Sequence, residues 1–371
     1  MIRLLLLVPT LTGGGAEQVM ITLLRHLDRS RFELALAVVD TRRAVFLDQV
    51  PADVELIDLR CTRVRRALPG IVAELRRRRP DVVLSTLGHL NLGLAMCKPF
   101  LPAGMKVIGR ETTLVSRALL RHRHPRFWKL GYRLFYPWLD RMVCQSQVML
   151  DDLVATVGFP RDKVAVIHNP VDIARIHSLL ERDDDPGPRK TGTAVVELVA
   201  AGRLIPAKGF DLLLEALALC ADLPLRLTLL GEGPEEETLR GLAASPDLRE
   251  RVQFAGFVKD PFPLLAHADA FVLSSRFEGF PNVVLEALAC GTAVIATPAP
   301  GGLQEIIGTI PQCEVAEEVT APALAKAIRH WVGRRPGRVD PAAVTPFAVD
   351  RIVKQYEDEI LMTVSAAPDA A

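Results

Sequence analysis

Residues 2–17 read IRLLLLVPTLTGGGAE, an apolar run, a turn with three adjacent glycines, and the opening of a segment with helical spacing. The run at 2–8 is charged only at Arg3, which suits a strand buried in a parallel sheet. It falls well short of the ~20 apolar residues that a membrane-spanning helix needs, and it lacks the small-residue cleavage site of a secretory signal. Gly13, Gly14 and Gly15 let the backbone approach a ligand closely, and the free N–H groups at the start of a helix over about 16–27 favour a phosphate. A flexible strand-to-helix turn would have the same composition. A dinucleotide fingerprint is a third reading; there the spacing puts Gln18 where a third glycine belongs, while Asp40 at the end of the second strand keeps that reading open.

Outward from this unit the rhythm repeats, with a strand at 33–39, a helix near 68–79 and a strand at 82–85. It restarts at 195–200 and runs through a helix at 210–220, a strand at 225–230, a helix at 235–243, a strand at 270–273, a helix at 281–289 and a strand at 293–296. Strands alternating with helices over 371 residues predict two doubly wound α/β domains, residues 1–172 and 173–346. The charged segment 181–192 (ERDDDPGPRKTG) predicts an exposed loop at or just past the junction. A helical pattern over 347–364, carried by Ile352, Val353, Tyr356, Ile360 and Leu361, predicts a last helix that docks on one of the domains and can pack back on the first; 365–371 predicts a frayed tail.

The net charge of +1 is the sum of two opposed halves. Residues 1–180 hold 27 Lys+Arg against 16 Asp+Glu, and the other 191 residues hold 18 against 28. This asymmetry predicts that the first half meets an anionic surface while the second is an ordinary acidic domain. Charge concentrates at 117–141, RALLRHRHPRFWKLGYRLFYPWLDR, which carries seven Lys/Arg together with His122 and His124. The same stretch holds Trp128, Tyr132, Tyr136 and Trp138, and such interleaving of cations and amphipathic rings suits an anionic membrane surface. A helical hairpin with a solvated basic face is the plainer alternative. No nucleic-acid motif accompanies the charge, so no nucleic-acid partner is expected. A second cluster, Arg76 to Arg79, suits the negative end of a helix. The six cysteines contain no Cys-x-x-Cys, which predicts neither a zinc site nor a disulfide framework and fits a reducing cytoplasm. With no run of spanning length, membrane association is expected to be peripheral.

Two strings in the second half carry chemistry. Residues 201–209 read AGRLIPAKG after a strand, placing Arg203 and Lys208 at the carboxyl end of a parallel strand, where open α/β sheets bind ligands. Two cations there can neutralise a diphosphate, with the guanidinium able to bind in bidentate fashion, although either cation alone reads equally as surface charge. Residues 274–291 read SSRFEGFPNVVLEALACG. Pro281 suits the first turn of a helix and Gly291 its C-terminal cap, so Asn282 and Glu286 share one helix face and Glu278 lies in the loop before it. Two carboxylates and the backbone donors of Gly279 and Phe280 then converge on one opening, and carboxylates accept hydrogen bonds from sugar hydroxyls.

Two glutamates separated by seven residues, the Gly-Arg-Leu…Lys-Gly string, the Gly-Gly-Ala-Glu loop, LGEG at 230–233, GFV at 256–258 and IHNPVD at 167–172 together resemble family 4 of the retaining glycosyltransferases. The matches span most of the chain in the expected order. The resemblance implies a GT-B fold, two Rossmann-like domains facing across a cleft, with a nucleotide-diphosphate sugar, most simply a UDP-sugar, held mainly by the second domain. It implies no cofactor and no metal. Arg203 and Lys208 would bind the diphosphate and stabilise the leaving nucleotide electrostatically. Glu286 would accept from the ribose hydroxyls, Glu278 with Gly279, Phe280, Pro281 and Asn282 would hold the donor sugar, and Phe257 and Val258 would meet the base. Gly14 and Gly15 would close over the phosphates, and Asn169 and Pro170 would lie near the hinge. Many family members carry a histidine beside the donor sugar; here the corresponding stretch is GRETT at 109–113, with Glu111 the nearest polar group and His89 a second candidate.

The expected activity is therefore transfer of a sugar to a lipid-linked or surface-glycan acceptor by a cytoplasmic enzyme on the inner membrane face. A sugar-nucleotide epimerase of the same fold is the rival enzyme. A dinucleotide-dependent oxidoreductase is disfavoured by the missing glycine, and a non-catalytic scaffold by the presence of both cations and both glutamates.

Overall fold

The computed structural model describes residues 1–120, 122–182 and 195–366. Arg121, most of the charged segment 181–192 and the end of the 365–371 tail lie outside the described residues. The chain divides into two compact units, Met1–Pro170 with Val349–Ala371, and Val171–Ala348.

The first unit is built on strands β1 (Ile2–Thr10), β2 (Phe32–Asp40), β3 (Glu55–Asp58), β4 (Val82–Thr86), β5 (Lys106–Arg110), β6 (Arg141–Cys144) and β7 (Val164–Val166). They form one parallel sheet in the order β3-β2-β1-β4-β5-β6-β7. β1 runs through the middle and is buried on both faces: Leu5 and Leu7 enter one core layer, Leu4, Leu6 and Val8 the other. This is why its sequence is a continuous apolar run instead of an alternating one.

The second unit repeats the plan with β8 (Val196–Ala201), β9 (Leu225–Leu230), β10 (Val252–Gly256), β11 (Ala270–Leu273), β12 (Ala293–Ala296) and β13 (Glu314–Val315), parallel in the order β10-β9-β8-β11-β12-β13. Both sheets thus reverse strand order once, between β1 and β4 and between β8 and β11. In open α/β sheets the crevice beyond the carboxyl ends of the strands at such a reversal is the ligand site. The two doubly wound, Rossmann-like domains read from the sequence are the architecture observed.

The last helix, Val349–Ser365, returns to the first unit. Its Ile352, Val353, Tyr356 and Ile360 complete the core layer that contains Leu4, Leu6 and Val8. Ion pairs fix its register: Arg31 to Glu357 at 2.8 Å and Arg141 to Glu359 at 2.5 Å. Inside this unit Arg110 is fully buried and donates to Tyr356 Oη at 2.9 Å, Thr86 Oγ1 at 3.2 Å and Asn169 Oδ1 at 2.5 Å. One side chain therefore ties two strands, the final helix and the residue before Pro170, where the unit ends.

Candidate functional site

In the second unit the loops leaving β8 and β11, the two strands at the reversal, are stitched to each other. Ser274 Oγ donates to the Lys208 carbonyl at 2.9 Å, and the Arg276 amide donates to the Ala207 carbonyl at 2.8 Å. Gly209 sits between them with φ +62, and a Cβ there would meet the Ser274 carbonyl oxygen at 2.1 Å, so the approach is open only to glycine. The guanidinium of Arg276 clamps the same junction, with Nη1 and Nη2 on Asp211 at 2.7 and 2.6 Å, which holds the Asp211 carboxyl below its usual range.

On this frame Lys208 Nζ meets Glu278 Oε1 at 2.6 Å. Ser275, itself buried, donates to the same oxygen at 2.5 Å, and Thr297 Oγ1 fixes the Ser275 carbonyl at 2.6 Å. The Glu278 amide donates to the Pro300 carbonyl at 3.0 Å, and the Gly302 amide to the Gly279 carbonyl at 2.7 Å. Glu278 is only 9% exposed, held by partners on both its backbone and one carboxylate oxygen. Arg203, at the start of the β8 loop, is exposed and among the described residues has no carboxylate partner. The structure thus brings Lys208 and Glu278, 70 residues apart, into contact at adjacent strand ends, with Arg203 on the same loop as Lys208.

The helix after Glu278 spans Asn282–Ala289, one residue shorter at its start than the spacing predicts, because Pro281 takes the extended N-cap conformation. It stops in a Schellman arrangement: Gly291, at φ +76, donates to the Leu288 carbonyl at 2.9 Å and Thr292 to Ala287 at 2.9 Å. Glu286 and Asn282 are half-buried on this helix while Val284, Leu285 and Leu288 fill the core. The Phe280 ring packs into the core against Phe347, centroids 5.7 Å apart. Next to the β8 loop, Gly231 at φ +128 passes so close that a Cβ would lie 2.0 Å from the Gly202 carbonyl oxygen, and its amide donates to the Gly256 carbonyl at 2.6 Å. That contact sets the loop after β10, where Phe257 is exposed and Val258 packs on the core.

The first unit presents its own strand ends. Gly14 caps the helix Gly15–His26, and its amide donates to Glu17 Oε2 at 2.9 Å while Thr10 Oγ1 donates to Oε1 of the same carboxylate. The buried Glu17 carboxylate thus already occupies one of the donors that the glycine turn offers an anion. After β4, Leu87 adopts φ +76, a strained conformation for a branched side chain, and leads into the helix Gly88–Cys97. Glu111 is buried beneath this turn, accepting from Tyr136 Oη at 2.5 Å and Asn91 Nδ2 at 3.3 Å, and Tyr136 also donates to the Gly88 carbonyl at 3.1 Å. Burial raises the Glu111 carboxyl above its usual range. His89, by contrast, is exposed, and partial desolvation with neighbouring His122 lowers its pKa. Of the two candidates, Glu111 is locked into packing and His89 is reachable.

The basic stretch folds as the helix Pro125–Phe135 and a following turn. Two of the rings expected at a surface are instead core: Tyr132 is 3% and Tyr136 0% exposed, and Trp128 stacks on His122 with centroids 4.1 Å apart. Between its basic residues the helix exposes apolar side chains. Phe127, Leu130 and Leu134 are 74%, 53% and 55% exposed at i, i+3, i+7 spacing, flanked by Arg126, Lys129 and Arg133. Leu120, Trp138, Phe100 and Met96 are further exposed apolar residues on the neighbouring segments. Among the described residues, Arg123, Arg126 and Lys129 have no carboxylate partner.

Residues 13–175 match the family model described as Glycosyltransferase Family 4, and residues 196–333 match the one described as Glycosyl transferases group 1. The chain belongs to glycosyltransferase family 4. The glycosyltransferase is 28% identical over 313 residues, 81% of either chain, to an N-acetylgalactosamine-N,N'-diacetylbacillosaminyl-diphospho-undecaprenol 4-alpha-N-acetylgalactosaminyltransferase of Campylobacter jejuni. It is 35% identical over 163 residues to the lipopolysaccharide core biosynthesis glycosyltransferase LpsE of Rhizobium meliloti, a match that spans 44% of this chain and 45% of that one. The match to a Methanocaldococcus jannaschii glycosyltransferase likewise spans about half, 48%, of the relative's length. Among solved structures, Anabaena HepE in complex with UDP and glucose superposes with a TM-score of 0.77 at 20% identity, over 97% of this chain and all of that one. The lipopolysaccharide outer core galactosyltransferase WaaB superposes with a TM-score of 0.72 at 16% identity, over 97% of this chain and 99% of that one. The fold of the enzyme is accordingly GT-B.

Neither Ser275 nor Thr297 stands out in the sequence, since a serine or threonine after a strand is commonplace. Ser275 becomes visible only when Glu278 is seen to need a second donor.

Proposed function

We propose that the enzyme transfers a sugar, with retention of anomeric configuration and without a metal ion, from a UDP-sugar to a lipid-linked or surface-glycan acceptor. The observation that carries this reading is the contact of Lys208 with Glu278 at the strand-order reversal of the second unit, with Arg203 on the same β8 loop, where only glycine lets the two loops approach. The two cations supply the charge that a departing diphosphate needs, so the nucleotide can leave without a metal bridging its oxygens. Glu278 accepts from hydroxyls of the donor sugar, with Gly279, Phe280, Pro281 and Asn282 shaping its seat. Glu286 accepts from the ribose, and Phe257 with Val258 meets the base. In the first unit, the Gly14–Gly15 turn has less donor capacity for an anion than its composition alone implies, because Glu17 engages the Gly14 amide.

The relatives support the acceptor class: the Campylobacter enzyme is named for a diphospho-undecaprenol-linked glycan and the Rhizobium enzyme for lipopolysaccharide core synthesis. A lipid-linked acceptor requires the enzyme at a bilayer, and no helix among the described residues is long and apolar enough to cross one. We assign the peripheral contact to the apolar stripe Phe127, Leu130 and Leu134 with its flanking cations, which suits the anionic cytoplasmic leaflet. The relatives named above are transferases, which favours transfer over epimerisation.

The test is incubation with a panel of UDP-sugars and a polyprenyl-diphosphate glycan in the presence of EDTA, with NMR assignment of the new linkage. Transfer with the donor's anomeric configuration preserved is the expected outcome. Inverted product, activity abolished by EDTA, or conversion of the nucleotide sugar without acceptor would each refute the corresponding part.

A further inference from the structure

Glu278 Oε1 accepts from Lys208 and from Ser275, so the cation meant for the donor's diphosphate is already engaged by the carboxylate meant for its sugar. The pair is held in place by its frame: Ser274 fixes the Lys208 carbonyl, and Pro300 fixes the Glu278 amide. With side chains 24% and 10% exposed, it is shielded enough for the charges to matter to each other, and Glu278 is costly to leave without its cation.

Resting on the donor-site reading above, we infer that the Lys208–Glu278 ion pair is a latch that makes the site prefer an intact nucleotide sugar to the spent nucleotide. A diphosphate draws Lys208 away from Glu278. When a sugar is attached, its hydroxyls donate to the released carboxylate, so both charges end with partners. A bare nucleoside diphosphate offers Lys208 a partner and leaves the buried Glu278 with Ser275 alone. The same asymmetry acts after transfer: once the sugar has left, Glu278 retakes Lys208 and weakens the hold on the diphosphate. The latch thereby favours product release and limits inhibition by the nucleotide product, with Glu278 acting as a specificity-determining residue and Ser275 as its positioning residue.

Isothermal titration of the full chain with UDP tests this. Glu278→Gln keeps the shape of the side chain and removes the competing charge, so it should bind UDP about tenfold more tightly than wild type. Glu278→Ala should shift affinity in the same direction, which guards against an effect peculiar to the amide. Lys208→Met should bind UDP roughly tenfold more weakly, and adding Glu278→Gln to it should restore nothing. If Lys208→Met weakens UDP while neither Glu278 variant tightens it, the latch is wrong and the donor-site reading stands. If Lys208→Met leaves UDP affinity unchanged, the donor-site reading and the latch both fall. Melting curves of each variant confirm that the compared proteins are folded.

Discussion

Replacing Gly209 by alanine probes the frame of the site without touching a charged group. The residue has φ +62, and a left-handed conformation costs an L-residue with a side chain roughly 1–2 kcal/mol. The larger effect is steric. The new Cβ would lie 2.1 Å from the Ser274 carbonyl oxygen and 3.1 Å from its carbon, and both obstacles are backbone, with no flexible end to yield. Restoring ordinary van der Waals separation moves the β8 loop from the β11 loop by about 1 Å. That displacement breaks the 2.9 Å bond from Ser274 to the Lys208 carbonyl and carries Lys208 away from Glu278. From the dihedral cost alone the thermal midpoint should fall by roughly 2–8 °C. Turnover should fall further, by about a hundredfold, because a reactive constellation tolerates little misplacement. Gly241→Ala is the internal control: it lies in the helix Glu236–Ala243, a Cβ there meets nothing within 4 Å, and helix propensity should raise stability by roughly 0.5–1 kcal/mol with activity unchanged. Differential scanning calorimetry and initial rates on the same samples read both effects. A Gly209→Ala enzyme with wild-type turnover would refute the account of how the two loops are held.

Glu111 gives a pH signature. Burial raises its carboxyl in the folded state, so the folded protein binds the proton more tightly and stability falls as pH rises from the ordinary carboxyl value, about 4.3, toward the raised one. Relative to Glu111→Gln, the wild type should lose stability in urea titrations as pH rises above the ordinary carboxyl range; parallel curves would count against a buried, proton-retaining Glu111. Exchanging Phe127, Leu130 and Leu134 for serine removes exposed apolar surface, so the melting temperature should hold while flotation with anionic vesicles is lost; retained flotation would exclude this stripe as the lipid contact. Arg110→Lys cannot reproduce three directed bonds to Tyr356, Thr86 and Asn169, and should destabilise the first unit by about 2–4 kcal/mol, visible as faster proteolysis of the C-terminal helix.

The sequence discloses the strands at the sheet centres and hides those at the margins. β1, β2, β4, β8, β9, β11 and β12 are rich in apolar residues and are read to within two residues of their ends. β3, β7, β10 and β13 are the four edges, two to five residues long and half exposed, with no apolar run to announce them. β5 and β6 are interior but short, and their Lys106, Arg110 and Arg141 mask the pattern. The helix expected near 68–79 in fact begins at Val64, five residues before a Pro69 that suggests a start. Within the site, the glycines and the charged residues are readable one string at a time. The Lys208–Glu278 contact is not, because 70 residues separate the two and only the placing of β8 beside β11 brings them together. Tyr132 and Tyr136 show the opposite failure: ring type alone does not tell a lipid-facing tyrosine from one buried against a carboxylate such as Glu111.

The proposed function puts a nucleotide sugar in the second unit, at the ends of β8 and β11. A crystal structure of the enzyme with a non-hydrolysable UDP-sugar tests it most directly. The account predicts diphosphate oxygens within hydrogen-bond distance of Arg203 and Lys208, ribose hydroxyls on Glu286 and a sugar hydroxyl on Glu278. A nucleotide seated elsewhere, or a diphosphate that touches neither cation, would contradict it.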